Sequence, residues 1–140
     1  MTAFSLERFV TAQDRVIEQV IAELRSGRKR THWMWFVFPQ IAGLGYSATS
    51  ERYALASLDE ARAYIAHPVL GPRLQNCTEL VLANRTRAIR DVFDFPDNLK
   101  FHSCMTLFAY AGPGAPEFRA ALDKYFEGRE DTATLAKLGF

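Results

Sequence analysis

The amino-acid sequence predicts an all-α fold, a single compact multi-helix array over residues 1–140. Three observations point there. Apolar residues recur at three-to-four spacing along most of the chain, the period of a helix with one buried face. Residues that start and stop helices, among them Ser5, Gly27, Ser57 and Asp131, fall at the ends of those stripes. No two segments show the period-two alternation of β-branched residues that a pair of strands requires.

The elements follow in order. Ser5 stands as an N-cap, with Glu7 in the first turn where the helix dipole favours negative charge. Leu6, Phe9, Val10, Val16, Ile17, Val20, Ile21 and Leu24 form one stripe, interrupted where Gln13 falls on the same face. Gly27 ends this helix as a C′ residue, and Arg25, Arg28, Lys29 and Arg30 lie where a helix C-terminus favours cations. Thr31 to Phe38 reads either as an alternating strand or as a helix buried all round. A lone strand has no partner, so a short buried helix ended by Pro39 is expected.

Ser57-Leu58-Asp59-Glu60 is a capping box opening a short helix that stops near His67-Pro68, with His67 expected to cap that preceding helix. Leu70, Leu74, Cys77 and Val81 trace a stripe continuing to about Arg85, and a shorter helix is expected from about Arg87 to Phe93. Pro96-Asp97-Asn98 restarts the chain into a helix from about Leu99 to Tyr110, and the Gly112 to Pro116 stretch breaks it. Phe118, Leu122, Tyr125 and Phe126 share a face of the next helix, which ends at Gly128. Asp131 caps a last short turn holding Leu135 and Leu138.

Composition narrows function. Seventeen basic residues against 16 acidic give a net charge of +1, which argues against a dedicated nucleic-acid binder. The longest wholly apolar run, Trp33 to Phe38, is far short of the ~20 residues of a membrane helix. Glu7, Arg8 and Asp14 come too early for a secretory signal, and two widely separated cysteines suit a reducing compartment. A cytoplasmic protein with no membrane partner is expected.

Charged residues make up 24% of the chain, yet none occurs from Thr31 to Ser50 or from Phe101 to Pro116. Charges are rarely buried unpaired, so long charge-free runs mark interior. Both runs also carry uncharged polar groups, which in an interior need hydrogen-bond partners from the protein or from a ligand. The candidate ligand-binding set is therefore His32, Trp33, Trp35, Gln40, Gly43, Gly45, Ser47, Ser50, Tyr53, Lys100, His102 and Thr106. Trp33 or Trp35 would stack on a flat group, and Gln40, Ser47, Ser50, His102 and Thr106 would hydrogen-bond it. Gly43 and Gly45 would let backbone approach closely, and Lys100 or Arg30 would meet a phosphate. The two runs should touch, with the Trp33 to Phe38 aromatics on Phe101, Met105 and Phe108. A cleft is expected where the Gly43 to Gly45 loop passes the first half of the Leu99 to Tyr110 helix.

Other chemistry finds less support. No nucleophile elbow is present, and Cys104 and Cys77 lie on apolar stripes as core residues. Three histidines and two cysteines show no metal-ligand spacing, so no metal and no cofactor is expected. The basic cluster beside Trp33 and Trp35 could grip nucleic acid, but a solvated helix end explains it more simply.

The segments HWMWFVFPQIAGLG, HPVLGPRL, DNLKFHSCMTLF and FRAALDKYFEGREDTATL, with Ser47, Ser50 and Tyr53, resemble the bacterial family catalogued as domain of unknown function 1810. The resemblance runs from about Leu6 to Leu138 and implies a compact, mostly helical domain without an assigned activity. The family tends to have Gly where Asp94 stands and Ser where Cys104 stands, which weakens a nucleophile role for Cys104. A shorter likeness, Ser50-Glu51-x-Tyr53 and Leu99-Lys100-Phe101, is to the NADAR families and implies action on ADP-ribose-type compounds. The sequence thus suggests a pocket for a small polar or phosphate-bearing, nucleotide-like ligand. Its enzymatic form would break an N-glycosidic or phosphoester bond with Glu51 or His102 as acid or base. The alternative is a helical protein-interaction module without catalytic activity.

Overall fold

The apolar stripe that begins at Leu6 does not form one helix. It breaks at Arg15–Val16 into α1 (Glu7–Asp14) and α2 (Ile17–Ser26). Gln13, the residue that interrupted the stripe, is buried at the break, where its Nε2 donates to the Phe36 carbonyl and to the Tyr64 hydroxyl. The two halves pack on different neighbours, α1 on α3 (Met34–Val37) and α2 on α6 (Leu70–Leu82). The structure, a computed structural model, describes residues 5–140.

The remaining elements are α4 (Ala48–Arg52), α5 (Leu58–Ala66), a 3-10 turn (Ile89–Asp91), α7 (Asp97–Ala111), α8 (Glu117–Phe126) and α9 (Thr132–Leu138). Among the described residues the fold is all-α, and the one β-type pairing is an isolated parallel bridge between Ile41 and Leu55. No helix among them is long and apolar enough to cross a membrane.

Local signals explain several helix ends, although the N-cap of α1 is Leu6 and not the expected Ser5. Gly27 sits in the left-handed region at φ 92° and closes α2 through the Glu23 and Leu24 carbonyls. The Ser57 hydroxyl accepts from the Glu60 N–H, while the Glu60 carboxylate accepts from Ala56 N–H, so the capping box closes one residue further back. Asp131 caps α9 by accepting from Thr134 N–H.

Three points add to or correct the expectations. His67 is the C-cap of α5, as expected, its N–H donating to the Tyr64 carbonyl, and its Nδ1 also accepts from the N–H groups of Val69 and Leu70 at the start of α6. The helix expected from Arg87 to Phe93 is only the 3-10 turn, whose start is held by Thr86 Oγ1 accepting from Ala88 N–H. And α4, unmarked by any apolar stripe, is a short helix capped by Ser47.

The buried apolar side chains form one cluster with α7 through its middle. Phe101, Cys104, Met105, Leu107 and Phe108 are all fully enclosed there, against α5 and α8. Each such aromatic or aliphatic side chain stabilises the fold by about 1.5–3 kcal/mol. The two charge-free segments do meet, at an edge-to-face contact of Phe38 on Phe101 with ring centroids 5.3 Å apart. Further along α7, Phe108 packs instead on Tyr64 and Phe118.

Candidate functional site

The segment between α3 and α4 is held by two backbone hydrogen bonds. Leu55 N–H donates to Gln40 C=O over 2.9 Å, and Ala42 N–H to Leu55 C=O over 2.8 Å. With Ile41 and Leu55 buried between them, the chain from Gln40 to Gly45 is fixed across the end of α4. This leaves a recess of about 110 Å³ walled by Trp35, by Gln40 to Gly43 and Gly45, and by Ser50, Glu51, Tyr53 and Ala54 of α4 and its exit.

Glycine is needed at two points of this wall. Gly43 has φ +94°, and a Cβ there would also lie 3.0 Å from Cε of Lys137, which reaches over from α9. A Cβ on Gly45 would stand 2.7 Å from both Cβ and Oγ of Ser50, so only a bare Cα lets the loop close on α4. Two cations lie beside residues of this wall. Lys100 from α7 places its ammonium over the Trp35 ring, 4.5 Å from the centroid, and Lys137 flanks Gly43. Lys100 also lies 3.4 Å from Asp97.

The recess gathers Trp35, Gln40, Gly43, Gly45, Ser50 and Tyr53, with Lys100 beside it. The other candidates lie elsewhere. Ser47 sits just outside, its hydroxyl accepting from Ser50 N–H and donating to Ser50 Oγ. His32 is exposed, and Arg30 borders a shallow depression with Gln19, Glu23 and Ser26. His102 stacks on Phe126 at 4.0 Å and donates from Nε2 to the Arg129 carbonyl over 2.7 Å. Thr106 Oγ1 donates back to the His102 carbonyl and accepts from Asp131 N–H, both over 2.9 Å. These two residues join α7 to the α8–α9 connection, which satisfies their polar groups inside the protein.

Trp33 is buried, with its indole N–H on Glu23. That carboxylate, itself buried, accepts five hydrogen bonds, from Gln19, Arg30 N–H, both donors of Thr31, and Trp33. Burial alone would push its pKa up. The bonds from Thr31, Arg30 and Gln19 outweigh it and hold the group down at about 2. A charge from α2 thus pins the start of the charge-free segment and sets the position of Trp35 two residues on.

Sequence reasoning missed Ala42, Ala54, Lys137 and the buried Ile41. The small side chains at 42 and 54 were the available signal for the first two, since a wall needs short side chains to stay open. Nothing local marks Lys137. The cysteines contribute no nucleophile: burial pushes the Cys77 thiol up to about 12 and raises that of Cys104 well above its ordinary value. Among the described residues no group of three or more His, Cys, Asp or Glu is placed to hold a metal ion.

No curated protein matches the chain. Among solved structures, the crystal structure of the conserved hypothetical protein Rv1873 from Mycobacterium tuberculosis superposes with a TM-score of 0.96 at 52% sequence identity, covering 98% of each chain. A family model described as "Protein of unknown function (DUF1810)" matches residues 3–138. The chain belongs to the DUF1810 family.

Proposed function

We infer that the recess beside Trp35 is a small-molecule site for one flat polar group of a nucleotide-like or ADP-ribose-like compound. The observation that carries this reading is the gathering of Trp35, Gln40, Gly43, Gly45, Ser50 and Tyr53 around one concavity. Size limits the guest. An apolar cavity of about 150 Å³ holds a benzene, so about 110 Å³ takes no more than a single small ring or head group. The rest of a larger ligand lies outside, where the Lys100 and Lys137 ammonium groups favour negative charge. In the enzymatic form Glu51, which lines the recess, is the acid or base. His102 is engaged with Arg129 and Phe126.

The test is a thermal-shift panel of nucleobases, nicotinamide, nucleotides and ADP-ribose against wild type and Trp35→Ala. The reading expects at least one member to raise the wild-type midpoint and to lose that effect in the variant. If nothing in the panel stabilises the wild type, the recess is packing and the reading falls. Glu51→Gln then separates binding from turnover, since it should keep the shift and abolish any bond cleavage.

A second reading, a helical interaction module, is favoured by Phe95 and Leu99, which are 65% and 51% exposed at the start of α7. It expects self-association in sedimentation that Leu99→Ser abolishes. A wild type that stays monomeric at high concentration, with Leu99→Ser unchanged, counts against it.

A further inference from the structure

Along one side of α1 and its C-cap, Arg8, Thr11, Ala12 and Arg15 line a concavity. Their i, i+3, i+4, i+7 spacing puts them in one row. Facing the row are Phe36 from α3 and Arg52 and Tyr53 from the end of α4. Between them runs a groove of about 360 Å³, within the roughly 300–1,000 Å³ of small-molecule sites. Ala12, with its short side chain, keeps the middle of the row open.

The three arginines have different situations. Arg8 is a fixture: its guanidinium donates to the Arg52 and Ala54 carbonyls over 2.8 and 2.9 Å and to the Ser5 carbonyl, with Glu60 3.5 Å away. These bonds tie α1 to the exit of α4 and so fix the width of the groove. Arg15 and Arg52 are exposed, and neither has a carboxylate at ion-pair distance among the described residues. No Asp or Glu lines the groove. A concave surface with unneutralised guanidinium groups focuses a field that attracts anions, and the planar fork of Arg matches a phosphate with two parallel hydrogen bonds. The half-buried rings of Phe36 and Tyr53, 5.3 Å apart, add an apolar seat beside that charge.

We propose that this groove binds an organic phosphate monoester bearing a flat ring. Arg15 and Arg52 hold the phosphate with the Thr11 hydroxyl, and the ring lies against Phe36 and Tyr53. The proposal stands apart from the reading of the Trp35 recess. Tyr53 lines both spaces, but the phosphate-binding groups belong to the groove alone.

Calorimetric titration in low-salt buffer tests it, with adenosine 5′-monophosphate, inorganic phosphate and adenosine as probes. The monophosphate should bind more tightly than phosphate, and at least about tenfold more tightly than adenosine. Arg15→Gln and Arg52→Gln should each weaken it by about tenfold, with circular dichroism unchanged because both side chains are exposed. Arg25→Gln, an exposed arginine on α2, should leave the affinity as it is, and Trp35→Ala reports whether the recess takes the probe instead. Four results overturn the proposal: no binding of the monophosphate at millimolar concentration, retention of affinity in both groove variants, an equal loss in Arg25→Gln, or a loss confined to Trp35→Ala. The last would move the probe into the recess and so separate the two readings.

Discussion

The indole of Trp33 donates to Glu23 Oε1 over 3.0 Å, with both side chains almost wholly out of water. The carboxylate has no cationic partner among the described residues. Its charge is satisfied by five neutral donors, four of them supplied by residues 30–33, which immediately precede α3. A run without charges of its own is held in place by a charge borrowed from α2.

Removing that acceptor should be costly. Glu23→Ala leaves several buried donors unpaired and is expected to destabilise the protein by about 3 kcal/mol or more in urea denaturation. The pH dependence has a definite sign. Because the folded pKa is lowered from 4.5 to about 2, the contribution is complete above pH 4.5 and is lost as pH falls through about 2. Its size is about 3 kcal/mol. The stability difference between wild type and Glu23→Gln should shrink across that window; a flat difference would contradict this account.

Gly71 offers a purely steric test. A Cβ there would lie 2.1 Å from the Ile65 carbonyl oxygen, which is backbone and cannot swing aside. Gly71→Ala should therefore push α6 away from α5 and cost about 3 kcal/mol, despite alanine's better helix propensity. A thermal midpoint equal to or above that of the wild type would show that the two helices can slide apart freely.

Asp131 joins α9 to α7. Its Oδ2 accepts from Thr134 N–H, from Thr134 Oγ1 and from Ser103 Oγ. Asp131→Ala is expected to lose about 2 kcal/mol. Amide exchange should accelerate over residues 132–138 first, before the rest of the fold opens. Uniform acceleration along the chain would instead make α9 part of one cooperative unit.

Both thiols should be silent in the native state. With Cys77 pushed up to about 12 and Cys104 raised by burial, neither carries appreciable thiolate at pH 8. A disulfide-exchange reagent should react with neither until denaturant is added, and then with both. Rapid labelling of the folded protein would mean that the core around α7 opens far more often than its packing implies.

What the sequence made legible was what short range decides. Gly27, Ser57 and Asp131 act on backbone groups within a few residues, so the ends of α2, α5 and α9 follow from local chemistry. The charge-free runs located the core, since the cost of burying a charge leaves its mark on composition. Direction was harder. Thr106 and Ser103 bond back to carbonyls four residues earlier, and His102 finds a carbonyl 27 residues away, so these polar groups turn from the recess toward α8 and α9. Ala48 to Arg52 is too short and too polar to leave a stripe, and its one signal was Ser47 placed to cap it. Gln13 was legible as an interruption, but not as a break, because its partners Phe36 and Tyr64 come from other helices.

Tyr53 forms a party wall. One of its surroundings is the recess beside Trp35 and the other is the arginine-lined groove, and the ring also rests on Phe9 and Phe36. A guest that favours one tilt of this ring changes the shape offered on its other side, and thermodynamic linkage makes the influence mutual. If both spaces take guests, their occupancies are coupled through this side chain. The sign of that coupling depends on whether both guests prefer the same tilt.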